Sequence, residues 1–383
     1  MRIYFFLQQD TPRQAELHAL AESLALCGEE LLAPFDWWYA APGARTPLFK
    51  HDPAFDPRTA DIVVVGRNSY RTITPDFHVK VLGLPEWVTA PDRKFKLVFF
   101  EDDDNYEAFA WKPPFDKFDI VLRTKMNRRS FQPANFRPWQ LGVSRYVIER
   151  AGQKLAGVEK RLCILSNFNA THPFEHPLRR LARESIVPRF DKFIPIDRTV
   201  VHWDKMPDDP FDAFHLEQVD KYYNPAYHDL LAGAAACFAF CGDLVPGLPR
   251  NPAPLLRFGN KGKLKRKAWT AISALLGATP RVLQWDSFRF WECLAFACCP
   301  IHADLDKYGV ELPVMPVNWE HYIGLDLDHL QRDLRRIEGD PDLLVRIGRQ
   351  GREWMTANYS GRALAQRFLA IFATQFAEPG CSG

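Results

Sequence analysis

The sequence contains no long hydrophobic run. Across its 383 residues no stretch approaches the roughly 18–20 apolar residues that a membrane-spanning helix needs. The opening MRIYFFLQQD holds only a handful of apolar residues before Gln8 and Asp10, too few for the core of a secretory signal. Neither charge is in large excess: 49 Lys and Arg stand against 47 Asp and Glu. That near balance argues against a general nucleic-acid binder while leaving room for a local basic site. The eight cysteines (Cys27, Cys163, Cys237, Cys241, Cys293, Cys298, Cys299 and Cys381) form no Cys-x-x-Cys pair. Most sit in apolar surroundings and read as buried thiols of a reducing compartment, so a cytoplasmic protein is expected. No Gly-x-Gly-x-x-Gly follows the first apolar run, which removes the best support for a nicotinamide-dependent dehydrogenase, and no Ser-His-Asp or Cys-His arrangement stands out. Internal repeats, low-complexity tracts and Gly/Ser linkers are also missing.

What is present is ordinary for a globular chain, 47% hydrophobic and 25% charged, and its length favours two domains. Short, nearly continuous apolar runs recur: MRIYFFLQ, DIVVVG (61–66), KLVFFEDDD (96–104) and FDIVLRT (118–124). Such runs are typical of strands buried on both faces of a parallel sheet. Between the first two, residues 13–26 read as an amphipathic helix carrying Leu17, Leu20 and Leu24 on one side. A second series begins near residue 160, with strands expected at RLCILSNF, ACFAF (236–240), RVLQW (281–285) and CPIHA (299–303). Helices are expected over 172–183 and 265–276, and three more over 327–337, 341–359 and 361–376. Alternation of this kind predicts an α/β architecture of two Rossmann-like domains facing a cleft. The junction falls at 145–160, which divides the chain into 1–150, 151–360 and a final 361–383 helix and tail. Residues 195–260, rich in Pro, Asp and aromatics, read as loops beside the cleft or as a surface excursion.

One stretch carries the most chemistry. WDSFRFWECLAFACCPI (285–301) is apolar almost throughout, yet keeps Arg289 and Glu292. If Asp286 or Ser287 caps this helix, its free N–H groups and positive dipole end lie just past the strand RVLQW. Open α/β sheets bind phosphorylated ligands at that corner. Arg289 and Glu292, three apart, project from one side of the helix. A guanidinium there can pair with phosphate, and a carboxylate can accept both hydroxyls of a ribose. The structural alternative is an Arg289–Glu292 pair that satisfies only itself.

The segment DSFRFWECLAFACCPI resembles the ribose-site signature of GT-B glycosyltransferases, a Ser-x-Arg-x-x-Glu-x-Leu-x-x-Gly-x-x-Pro-Val pattern after a short strand. It is similar in particular to the exostosin-like enzymes and to the bacterial spore-protein-like glycosyltransferase domains. Ser287, Arg289, Glu292, Leu294, Cys298, Pro300 and Ile301 fit the pattern. The likeness continues through LPVMPVNWEHYIGLD and DPDLLVRIGRQGREWMTANYS, covering about residues 280–376. Two positions depart from it, Ala297 for the usual glycine and Phe288 where exostosin-like enzymes often have proline. A methyl group at 297 is tolerated if the ligand sits slightly further away. The resemblance implies a nucleotide-sugar donor, a glycan or lipid-linked acceptor, no cofactor, and a setting in bacterial surface-polysaccharide or glycoconjugate synthesis. Peripheral association with the inner face of a membrane fits that setting, and nucleic acid is not an expected partner.

Other motifs supply candidates. RFGNKGKLKRK (257–267) is no P-loop, since no Gly-Lys-Ser/Thr ends it; Arg257 and Lys263 are its candidates for the donor phosphates, with a solvated basic face as the alternative. FFEDDDNYE places Asp102 and Asp104 in Asp-x-Asp spacing, which could hold a divalent ion in a GT-A-like transferase, cap the following helix, or furnish a base for the acceptor hydroxyl. SNFNATHPFEHPLRR opens the second series of strands. Its loop should face the cleft with Asn167, Asn169, His172 and Arg179 as donor contacts, His172 doubling as a candidate base. His172 and His176 lack the helical geometry and third ligand of a metal site, because Pro173 and Pro177 intervene, so no bound metal is expected. Asp243, after Gly242 in FAFCGDLVPG, either reaches the donor sugar or caps a turn.

Overall fold

The computed structural model describes residues 1–7, 15–39, 43–66, 71–73, 79–81, 83–102, 115–168, 176–201, 206–218, 224–252, 255 and 260–376. The first half of the chain gives β1 (Arg2–Phe6), α1 (Ala15–Leu26), β2 (Glu30–Leu32), a hairpin of β3 (Trp37–Tyr39) and β4 (Pro47–Phe49), and β5 (Ile62–Gly66). A second hairpin of β6 (Arg71–Ile73) and β7 (Val79–Val81) follows, then α2 (Glu86–Thr89), β8 (Lys96–Glu101), β9 (Ile120–Arg123), β10 (Phe136–Pro138) and α3 (Arg145–Leu155). Six of these strands form one sheet in the order β10-β9-β8-β5-β1-β2, parallel throughout.

The apolar runs have the composition they do because both faces are covered. Ile62 and Val64 face a core shared with Leu17, Leu20 and Leu24 of α1. Val63 and Val65 face an opposite core containing Phe95, Phe99 and Phe115. With alternate residues pointing to opposite layers, no position in the strand is left for a polar side chain.

The second half gives β11 (Arg161–Leu165), α4 (Pro177–Leu181), α5 (Val187–Phe190), β12 (Ile196–Asp197), α6 (Pro210–Gln218), α7 (Pro225–Gly233), β13 (Ala234–Phe238) and β14 (Asp243–Val245). After these come α8 (Asn260–Leu275), β15 (Arg281–Leu283), α9 (Phe288–Ala295), β16 (Cys299–Ala303), β17 (Ile323–Leu325), α10 (Leu330–Gly339), α11 (Leu343–Tyr359) and α12 (Gly361–Phe376). The second sheet runs β12-β11-β13-β16-β17 and is again parallel.

The structure departs from the sequence reading in several places. The strand expected at 236–240 lies two residues earlier, as β13. RVLQW does not enter the main sheet; β15 pairs antiparallel with β14. Gly242, with φ +85°, makes this possible, since a Cβ there would stand 2.1 Å from the Leu283 carbonyl oxygen. β17 was not expected at all, and α8 begins at Asn260, five residues before the helix expected over 265–276, so it takes in the whole basic run 261–267. The helix expected over 172–183 is, in its described part, α4 followed by a wider turn over Ala182–Ile186. The 195–260 region, expected as loops, contains α6 and α7.

Contacts between the halves fix the cleft. Asn127, just past β9, donates from Nδ2 to the carbonyls of Val282 (3.0 Å) and Tyr308 (2.9 Å). The buried Arg281 donates to the carbonyls of Pro246, Pro249 and Arg250 and to the Ser130 hydroxyl. At the end of the chain α12 lays Leu364, Ala365, Phe368 and Phe372 into the α1 core of the first sheet. The carboxyl edge of the first sheet therefore faces the second domain through residues 124–130.

Candidate functional site

The helices α7 and α9 each precede a strand of the parallel second sheet, β13 and β16. A helix that feeds such a strand runs against it, so both helices begin at the sheet's carboxyl edge. Ser287 stands at the N-cap of α9 with extended backbone, φ −151° and ψ 147°, but its side chain makes no capping bond. Its hydroxyl oxygen is buried without a hydrogen-bond partner. The first turn of α9 thus begins at a buried hydroxyl that takes no hydrogen bond and at the positive end of the helix.

Asp286, immediately before, has another task. Its carboxylate accepts the Leu141 backbone N–H at 2.8 Å and the Trp291 indole N–H at 2.6 Å, tying the segment that leaves the first domain to the base of α9. Burial pushes its pKa up to about 7, against the pull of those two donors and of the Lys125 ammonium. Lys125, itself buried, donates to the backbone carbonyl of Asp102 at 2.8 Å. The end of β8 and the start of α9 therefore converge on one lysine.

Glu292 is also buried. Neither of its expected partners is the one it has: Oε1 lies 3.2 Å from Nε2 of His228 on α7. Its second carboxylate oxygen takes no hydrogen bond among the described residues. His228 is fully enclosed and stacks on Phe296 with ring centroids 4.8 Å apart. Arg289 turns to Tyr227 instead, donating from Nε to the phenol oxygen at 3.2 Å. Burial opposes its charge, but contacts with Tyr227 and Cys237 outweigh that and hold the guanidinium above its usual pKa. The self-contained Arg289–Glu292 pair is not formed; α7 occupies both side chains separately.

His228 and Tyr227 went unnoticed in the sequence because NPAYHDLL sits in a Pro-rich region. The signal was there: Asn224 caps α7, its side chain accepting from the Ala226 N–H, and Pro225 occupies the first helical position. Once α7 is a helix entering from the carboxyl edge, its residues 227 and 228 must lie beside α9.

The remaining candidates separate. Asn167, just past β11, is half-buried on the same carboxyl edge, with a buried amide oxygen that takes no hydrogen bond. Asp102 follows β8 at the facing edge, beside the Arg123–Glu101 pair (3.3 Å). Asp243 is engaged by Arg266 of α8 through both oxygens, at 2.5 and 2.7 Å, so the basic helix is pinned to β14 by it. Arg179 donates to the Phe240 carbonyl at 3.1 Å, and His176 accepts the Gly242 N–H. Asp104, Asn169, His172 and Arg257 lie outside the described residues, as does the side chain of Lys263. Ala297, where the resembled pattern has glycine, adopts φ +49°, the left-handed backbone that glycine takes without strain.

Among the described residues, no group of three or more His, Cys, Asp or Glu side chains gathers as metal ligands would. Also among them, no helix is long and apolar enough to cross a membrane. No protein-family model and no curated protein matches the chain. Solved structures do. A sucrose-phosphate synthase from Thermosynechococcus elongatus is 12% identical with a TM-score of 0.50, the match covering 98% of this chain and 99% of that one. A glycosyltransferase from Rickettsia africae ESF-5 is 10% identical (TM-score 0.47, 98% and 99%). Anabaena HepE, solved with UDP and glucose, is 9% identical (TM-score 0.46, 98% and 100%). The synthase likeness runs over nearly the whole of both chains, and with the two parallel sheets above it shows that the chain has the GT-B fold, two Rossmann-like domains facing a cleft.

Proposed function

We propose that this chain is a glycosyltransferase that moves a sugar from a nucleotide-sugar donor to a glycan or lipid-linked acceptor. The observation that carries the reading is Glu292, a carboxylate buried at the carboxyl edge of the second sheet, steadied by His228 on one oxygen and uncommitted on the other. In this reading the free oxygen accepts the ribose hydroxyls. The diphosphate sits against the first turn of α9, with Ser287 and Arg289 beside it and Arg257 and Lys263 as further cationic contacts. Cationic and N–H donors there stabilise the departing nucleotide as the glycosidic bond breaks. Asn167 is a donor contact from the neighbouring strand end.

The acceptor hydroxyl needs a base, and Asp102, at the facing edge of the first sheet, is the first candidate, with Asp104 and His172 as others. Asp243 serves this role less well, because Arg266 already holds both its oxygens. Membership of an exostosin-like or spore-protein-like branch, and a place in bacterial surface-polysaccharide synthesis, rest on the 286–301 resemblance.

The test is a panel of UDP, GDP, ADP, dTDP and CMP followed by thermal unfolding, then incubation with the corresponding sugar donors. At a hundredfold excess over Kd a ligand adds about 2.7 kcal/mol to apparent stability, so one nucleotide should raise Tm clearly and its sugar donors should be slowly hydrolysed. A panel without any shift would contradict the reading. A shift without hydrolysis or transfer would make the chain a nucleotide-binding protein of the same fold.

A further inference from the structure

The longest acid-free stretch of the chain surrounds α8. Between Asp243 and Asp286 there is no Asp or Glu, while Arg250, Arg257, Lys261, Lys263, Lys265, Arg266, Lys267 and Arg281 all fall there. In a protein of net charge +2 this is a strong local asymmetry.

The helix is also apolar on the wrong side. Leu264 is 71% exposed and Leu275 86%, with Leu276 at 65% just beyond the helix and Ile272 at 39%. At 100° per residue, Leu264, Ile272 and Leu275 fall within one narrow stripe, and Lys265 and Lys267 flank it on opposite sides. Both lysines are exposed. The opposite face is the one that holds the protein: Arg266 pairs with Asp243, and the buried Ser273 hydroxyl accepts the Leu248 N–H at 3.0 Å. The helix is therefore anchored through its polar face and turns its leucines outward, where water would otherwise cover them.

We propose that α8 is a membrane-docking helix that lies flat on an anionic bilayer, with Leu264, Ile272, Leu275 and Leu276 entering the headgroup region and Lys265 and Lys267 pairing with lipid phosphates. Apolar side chains along one stripe with basic side chains on both flanks is the pattern of an interfacial helix. A second protein copy would cover the leucines equally well but would have to meet the lysines with acidic side chains, and the copy of α8 itself has none. Because Arg266 holds Asp243 just past β13, a docked α8 brings the carboxyl edge of the second sheet close to the lipid surface. The surface is independent of what the cleft binds.

Co-sedimentation of the full chain with vesicles tests this. Vesicles of phosphatidylcholine with added phosphatidylglycerol should capture the protein at least roughly tenfold better than phosphatidylcholine alone, and high salt should abolish most of the difference. The double variant Leu264→Asn/Leu275→Asn and the double variant Lys265→Glu/Lys267→Glu should each lose roughly tenfold or more in partitioning. Unchanged melting temperatures and nucleotide binding would show that both remain folded. Equal binding of the wild type to both vesicle types, or no loss in the leucine variant, overturns the proposal. So does a dimer in light scattering that the leucine variant converts to a monomer, since the stripe would then be a protein interface.

Discussion

Replacing Asp286 by Asn probes the joint between the two domains. The carboxylate serves two buried donors, one on each oxygen. Asn keeps one acceptor and turns an NH2 group toward the other donor, so one buried N–H loses its partner. In mild acid, where Asp286 is protonated and its hydroxyl oxygen can still accept, that leaves a loss of about 1–3 kcal/mol. The pH dependence sharpens the test. Burial raises the folded pKa from 3.8 to about 7, so the native state holds a proton that the unfolded chain releases. The wild-type contribution is then fully present below the unfolded value and is lost as pH rises toward the folded one, by about 1.4 kcal/mol per pH unit. Asn does not titrate, and every other ionisable group is common to both proteins. The destabilisation by Asp286→Asn should therefore be largest in mild acid and shrink as pH climbs toward neutrality. Urea unfolding of both proteins across that range gives the difference directly. A difference that is flat with pH, or that grows as pH rises, would refute a desolvated carboxyl at this joint.

Other substitutions follow from the same packing. Glu22 lines a cavity of about 350 Å³ beside His18, Tyr146 and His215, and burial raises its pKa from 4.5 to about 8; the stability of wild type relative to Glu22→Gln should fall by about 1.4 kcal/mol per pH unit over that window, read from urea midpoints. Gly348→Ala would place a Cβ 2.4 Å from the Ala297 carbonyl oxygen, and should lower stability by about 1–3 kcal/mol in the same assay. Asn127→Ala removes the donor to two buried carbonyls of the second domain; a loss of about 2–4 kcal/mol and faster hydrogen exchange at residues 124–130 are expected.

The parts of the fold legible in the sequence are those where burial leaves no choice. DIVVVG and KLVFFE could be read as strands because both faces of β5 and β8 are covered, and α9 because its polar residues are so few. What escaped depended on partners distant in sequence. RVLQW has the composition of a central strand, but its antiparallel place beside β14 is set by Gly242, about forty residues away, and periodicity carries no such information. The run GAAACFAF is apolar from end to end, so nothing in it marks where β13 stops. β17 is three residues long with Gly324 at its centre, where a Cβ would press on Asn318 and Asp304; a strand whose middle residue must lack a side chain leaves little pattern. At the site, the peculiarity of Glu292 was plain from its apolar surroundings, yet the identity of its neighbour was not. Only the helical state of NPAYHDLL brings His228 to it. The clustering of prolines masked that helix, although one of them starts it.

The central claim, a nucleotide ribose held by Glu292, is tested most directly by calorimetric titration of wild type and Glu292→Gln with the nucleoside diphosphate that most stabilises the wild type. Gln keeps the size of the side chain and can still meet His228, so the fold and melting temperature should be preserved. Losing the charge-assisted acceptor costs about 1.5–3 kcal/mol of binding, roughly ten- to a hundredfold in Kd. An unchanged Kd would contradict the account, above all if the melting temperature fell, because Glu292 would then serve only the packing of α7 against α9.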